Sequence, residues 1–223
     1  MWFQNFYDTF YKCFIKEDRY QLLLDGIGVT VKVSLLAVVF GLLIGFLIAL
    51  CNLSNKKGIR LIGKVYTDII RGTPTVTQLM IIYFAVFHSR LGYVAAVASF
   101  GINSGAYVSE VIRGGILSVD KGQSEAGRSL GLGYKDTMRF IIIPQAVKTI
   151  LPAMGNEFIQ LIKETSILGY VGIMDLTKAA SYVSSRTYQM FIPLVVAGIM
   201  YYLIVKCLSI LLKRFERRLR ESD

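Results

Sequence analysis

Residues 22–50 are almost wholly apolar, with charges only at Asp25 and Lys32 near the start. About 20 predominantly apolar residues cross a hydrocarbon core of about 30 Å. Lipid offers no hydrogen-bond partners, so such a segment must close its own backbone bonds as an α-helix. This run alone excludes an ordinary soluble fold. Composition agrees, because 54% of the 223 residues are hydrophobic and soluble domains carry less, without runs of spanning length.

More apolar stretches follow. Residues 75–87 are too short to cross alone. They are read as the second half of a helix that starts near Ile59 and is kinked or broken at Gly72 and Pro74. Residues 92–111, 140–162 and 190–212 supply three further spans. The expected fold is an all-α integral membrane protein with five transmembrane helices. Gly41 and Gly45, a G-x-x-x-G pair in the first span, predict a closely packed helix.

Charge orients the chain. Its formal net charge is +10, but in a membrane protein that excess reports cytoplasmic loops and not nucleic-acid binding. Basic residues gather at Lys56, Lys57, Arg60, Lys64 and Arg71, again at Arg113, Lys121, Arg128, Lys135 and Arg139, and again from Lys206 to the end. Five spans with the N-terminus outside and the C-terminus cytoplasmic put all three stretches inside. Residues 213–223 then form a basic cytoplasmic tail.

Aromatic residues at 2, 3, 6, 7, 10, 11 and 14 recur at helical spacing. They predict an N-terminal amphipathic segment over residues 1–20, lying in the membrane interface or packed against a span. The segment lacks a compact apolar centre, so no cleavable signal is expected and targeting falls to the first span. Cys13, Cys51 and Cys207 match no metal spacing, and His88 is the only histidine. No metal or cofactor site is expected.

The polar insert between the third and fourth spans reads GQSEAGRSLGLGYKD over residues 122–136. Ser124 or an earlier residue caps a short helix, with Glu125 near its positive end. Ala126 and Leu130 share a face, and Gly131 and Gly133 stop the helix. Such an insert is either a solvated loop or a knob that docks a cytoplasmic partner.

Here the residues carry a resemblance. Glu125, Ala126 and Gly127, then Gly131, then Ile141, Ile143 and Pro144, are spaced as in the EAA motif of membrane subunits of bacterial ABC importers. Gly127 departs from the second alanine of that motif, which should loosen the helix by about 1 kcal/mol. Ile143 departs from its leucine. RGTP at residues 71–74, INSGAYVSEVIRGGI at 102–116, LPAMGNEFIQLIKETS at 151–166 and the ending FERRLR are similar to the polar amino acid branch, of histidine, glutamine and arginine type. The resemblance runs from about Leu22 to the end.

The resemblance implies a type I ABC importer-like permease in the bacterial cytoplasmic membrane, with residues 21–212 as its transmembrane domain. The implied partners are ABC ATPase subunits, a second permease copy or a sister, and an extracytoplasmic amino-acid-binding protein. ATP and magnesium belong to the ATPase. This chain has no phosphate-binding G-x-x-x-x-G-K-[ST] loop, so it is not expected to be an enzyme. Residues 122–133 resemble the coupling helix, with Glu125, Ala126, Gly127, Leu130 and Gly131 meeting the ATPase.

Polar residues inside spans are costly and point to function. Asn103, Ser104 and Glu157 are the candidate substrate contacts, with Gln78 and Lys148 as further candidates. A carboxylate at Glu157 suits an ammonium, and Asn103 and Ser104 suit a carboxylate. The resemblance implies the same role for the asparagine and glutamate. Alternatively, Glu157 pairs with Lys163 or Lys148 and only holds helices together. Gly72 and Pro74 either end one segment and start the next or form a hinge near the inner gate. A secondary transporter or channel for a small polar solute is the competing function. Its ion coupling would use Glu157 and Lys163.

Overall fold

The computed structural model describes residues 7–220. Among them all regular structure is helical. From residue 20 onward the α-helices are α1 (Tyr20–Asn52), α2 (Lys57–Arg71), α3 (Thr75–Ile81), α4 (Gly92–Leu117), α5 (Lys121–Ser129), α6 (Tyr134–Thr137), α7 (Ile143–Glu164), α8 (Leu176–Thr187) and α9 (Phe191–Arg220). Wide π-type turns extend α3 through Ile82–Val86 and lead from α6 into α7 through Met138–Ile142.

The five expected spans are corrected by this architecture. Among the described residues, only α1 and α9 are long and apolar enough to cross a membrane. A third appears only if α2 and the Thr75–Val86 segment are joined as one broken span. Helices α4 and α7 have the length but not the composition. Helix α4 carries Ser99, Asn103, Ser104, Ser109, Glu110 and Arg113, and α7 carries Gln145, Lys148, Asn156, Glu157 and Lys163 around Pro152. Counting apolar stretches between loops treats these residues as interruptions. Their transfer cost removes both helices from the spanning set.

The chain forms two compact units whose segments alternate in sequence. The first contains residues up to Ala37, then Pro74–Phe100 and Ile159–Leu208. Its core joins Cys13, Phe14 and Leu23 to Leu176, Ala180, Val183 and Ala197. Of the N-terminal aromatics, Phe10 and Phe14 turn toward this core, their rings 5.0 Å apart, while Tyr7 and Tyr11 are exposed. The aromatics at 2, 3 and 6 lie outside the described residues. Buried Asp175 caps α8, accepting from the backbone N–H groups of Thr177 at 2.9 Å and Lys178 at 3.1 Å. Tyr201 on α9 donates its hydroxyl to the same carboxylate at 3.3 Å.

The second unit contains Val38–Thr73, Gly101–Phe158 and the residues from Ser209. Its core is Ala49, Val108, Ile112, Ala146 and Ile150. The G-x-x-x-G pair does what its spacing predicts. A Cβ on Gly41 would meet Ser104, and one on Gly45 would meet Val108. Gly101 and Gly105 on α4 return the fit, against Phe40 and Ile44. The α1–α4 seam is therefore built on missing side chains, and its helices approach to backbone distance.

Candidate functional site

The polar insert is a formed helix, α5. Its cap is Asp120, whose carboxylate accepts the Gly122 N–H at 2.7 Å. The cap thus precedes Ser124, and Glu125 falls beyond the first turn. The end follows the glycine rule. Gly131 is left-handed at φ +80, its N–H donates to the Arg128 carbonyl, and Leu132 N–H donates to the Gly127 carbonyl at 3.0 Å. A left-handed residue after the last turn satisfies carbonyls that would otherwise have no donor.

One residue of α5, Gly127, is buried. A Cβ there would meet the Thr137 side chain at 2.9 Å and Ile141 at 3.2 Å. The departure from alanine thus seats α5 against the turn leading into α7. Glu125 and Ala126 are exposed. Leu130 is 78% exposed and Tyr134 77%. Two large apolar side chains held outward, Leu130 at the end of α5 and Tyr134 at the start of α6, are chemically a docking surface.

The candidate substrate residues belong to the second unit. Asn103 is 2% exposed and Ser104 5%. Ser104 sits in the α1–α4 seam against Gly41, and its hydroxyl has no hydrogen-bond partner among the described residues. Glu157 on α7 is half-buried and Asn156 is exposed. Lys148 on α7 is half-buried, and Lys163 is exposed and falls in the first unit.

The break at residues 72–74 is real. Helix α2 closes with the Gly72 N–H donating to the Asp68 carbonyl at 3.0 Å. Pro74, extended at ψ 134, precedes the first residue of α3. Proline has no N–H to continue a helix, and it disfavours helical conformation in the residue before it.

A cluster that the sequence reading leaves as orientation charges comes together beside this break. Arg113 donates to Glu110 at 2.7 Å, Arg71 lies 3.9 Å from the same carboxylate, and the Arg71 guanidinium stacks 5.3 Å from the Tyr107 ring centre. With Asn52, Arg60, Lys64, Thr67 and Asp68 they line a crevice of about 360 Å³. Part of it was legible as one helix face, since 60, 64, 67, 68 and 71 share a side of α2.

Comparison with known proteins places this architecture. Residues 41–221 match the family described as the binding-protein-dependent transport system inner membrane component. The chain belongs to that family. A putative glutamine transport system permease protein of Rickettsia bellii is 46% identical, covering 88% of this chain and 92% of that one. An arginine transport system permease protein of Bacillus subtilis is 40% identical over 90% and 94%. Among solved structures, an amino acid ABC transporter crystallised with histidines has 43% identity and a TM-score of 0.86, covering 92% of this chain and 98% of that one. An inward-facing methionine ABC transporter shares the fold at 17% identity and a TM-score of 0.76. The chain is thus a multi-pass permease subunit of an ABC-type transport system, the membrane part of an ATP-driven assembly and not its catalyst.

Proposed function

We propose that this permease carries a polar amino acid into the cell, driven by an ATPase that docks on α5. The observation that carries this reading is the α5 knob. It is capped by Asp120, ended by Gly131, and holds Leu130 outward, with Tyr134 exposed beside it at the start of α6. Glu125, Ala126, Leu130 and Gly131 form the ATPase contact, and buried Gly127 seats the helix that presents them. Two ATPase subunits hold ATP and magnesium, and their closure moves α5 as a rigid body that rocks the permease between outward and inward access. The amino acid class follows from the glutamine and arginine permeases this chain resembles.

Helices α1 and α9 both run toward basic stretches, at residues 52–71 and at the C-terminal end. The positive-inside rule then sets those ends in the cytoplasm of a bacterial cell, with the N-terminus outside. Asn103, Ser104 and Glu157 meet the substrate, and Gly72 and Pro74 form the inner hinge. A second permease, copy or sister, completes the pathway, and an extracytoplasmic amino-acid-binding protein delivers the cargo.

The test is ATPase activity of the purified permease–ATPase complex across a panel of amino acids with candidate binding proteins. Stimulation by one amino acid class is expected. Absence of a copurifying ATPase, with uptake independent of ATP, would sink the reading and favour a secondary transporter. The Glu157→Gln variant tests the substrate site, because unchanged affinity would remove Glu157 from it.

A further inference from the structure

The crevice beside α2 has a charge balance that transport, as proposed, leaves unused. Arg60, Lys64, Arg71 and Arg113 bring four positive charges to it, against Asp68 and Glu110. Glu110 is already engaged by Arg113 and Arg71. Arg60 and Lys64 form no ion pair among the described residues. Asn52 adds a side-chain amide nitrogen that is buried and without an acceptor there. Its carbonyl oxygen lies in the space left by the absent Cβ of Gly63. Surplus donors with surplus positive charge are the complement of an oxyanion. The volume admits a phosphate bearing a small substituent and is too large for a bare halide.

The other side of α2 indicates where that phosphate comes from. Leu61, Ile62, Val65 and Ile69 form an exposed apolar face. A helix with cations on one face and exposed aliphatics on the other lies in the membrane interface, its cations at headgroup depth. Basic pockets at that depth on the cytoplasmic side bind anionic headgroups. We propose that this crevice holds the phosphodiester headgroup of an anionic phospholipid, with Arg60, Lys64 and Asn52 donating to its oxygens. Only the leaflet, the cytoplasmic one, rests on the orientation proposed above.

The site is tested by counting lipid, which requires no transport and so stands or falls apart from the importer reading. Full-length permease is delipidated in detergent and titrated with dioleoyl phosphatidylglycerol, with dioleoyl phosphatidylcholine, and with inorganic phosphate. Bound lipid is read by native mass spectrometry and phosphate binding by thermal shift. Selective retention of phosphatidylglycerol is expected, falling about tenfold in Arg60→Gln/Lys64→Gln, since each interfacial cation contributes substantially to anionic-lipid attraction. Lys213→Gln/Arg214→Gln removes the same charge from exposed positions on α9 and should retain lipid as the native chain does. If the double variant does not fold, Asn52→Asp, which sets a carboxylate in the crevice, should lose retention equally. Equal retention by the native chain and either crevice variant overturns the site. Stabilisation by inorganic phosphate without any preference for phosphatidylglycerol overturns the lipid and assigns a soluble oxyanion.

Discussion

Helices α5 and α8 are both short, and both start on an aspartate that accepts backbone N–H groups. There the likeness ends. Helix α8 buries Leu176, Ala179, Ala180, Val183, Ser184 and Thr187, whereas α5 buries only Gly127. The cap of α8 is itself buried and shared with Tyr201, while that of α5 is at the surface. Helix α8 ends on the non-glycine Tyr188 at φ 57, and α5 ends on Gly131 at φ +80. Packing holds α8 in place even through an unfavourable terminal residue. Helix α5 has little packing, so local chemistry must make it rigid. A surface helix that transmits force to a partner needs its caps more than its core.

The contrast breaks first at α8. Asp175→Ala should lower the stability of the permease by about 3 kcal/mol, through a lost cap and stranded buried donors at Thr177, Lys178 and Tyr201. Thermal unfolding in detergent measures this. An unchanged midpoint would mean that burial of the aliphatic face alone holds α8. The next effect falls on α5. Leu130→Asp should leave the unfolding midpoint unchanged but weaken ATPase docking by about 2 kcal/mol, or roughly thirtyfold. Titrating labelled ATPase onto permease in nanodiscs reads it. Undiminished affinity would remove Leu130 from the interface.

What was legible in sequence follows the same divide between local and distant causes. The first span was expected at residues 22–50 and is helical over Tyr20–Asn52, because a continuous apolar run needs no tertiary information. Gly72 and Pro74 announced their break for an equally local reason. Helix α8 escaped notice, since its stripe of Leu176, Ala179, Ala180 and Val183 is short and set among a majority of polar residues. The cap of α5 was expected at Ser124 or an earlier residue, because Ser and Asp are about equally good caps, and only the backbone path selects Asp120. Helices α4 and α7 were overcounted as spans because their polar residues read as isolated interruptions. The crevice was hidden for a different reason. Asn52 and Arg113 are far apart in sequence, and only the folding of α2 beside α4 brings Arg71 to Glu110.

Two smaller effects sharpen the comparison. Gly131→Ala must hold a Cβ at φ +80, which costs about 1 kcal/mol and should weaken ATPase docking about fivefold while lowering the unfolding midpoint far less than Asp175→Ala does. The same titration reads it, and full affinity would show that the α5 terminus is remade on docking.

The smallest effect is the most discriminating, because it changes the same residue type in the same role as the largest. Asp120→Ala removes one acceptor, for the Gly122 N–H, at a position that water reaches. The loss should be about 0.5 kcal/mol, at the low end for an N-cap, and docking should weaken about twofold. Asp120→Asn should restore full affinity, since asparagine caps as well as aspartate. If the asparagine variant is as weak as the alanine one, the charge of Asp120 and not its hydrogen bond serves the ATPase, and the residue belongs to the docking surface. If Asp120→Ala costs as much as Asp175→Ala, local capping dominates both helices, and burial does not separate them.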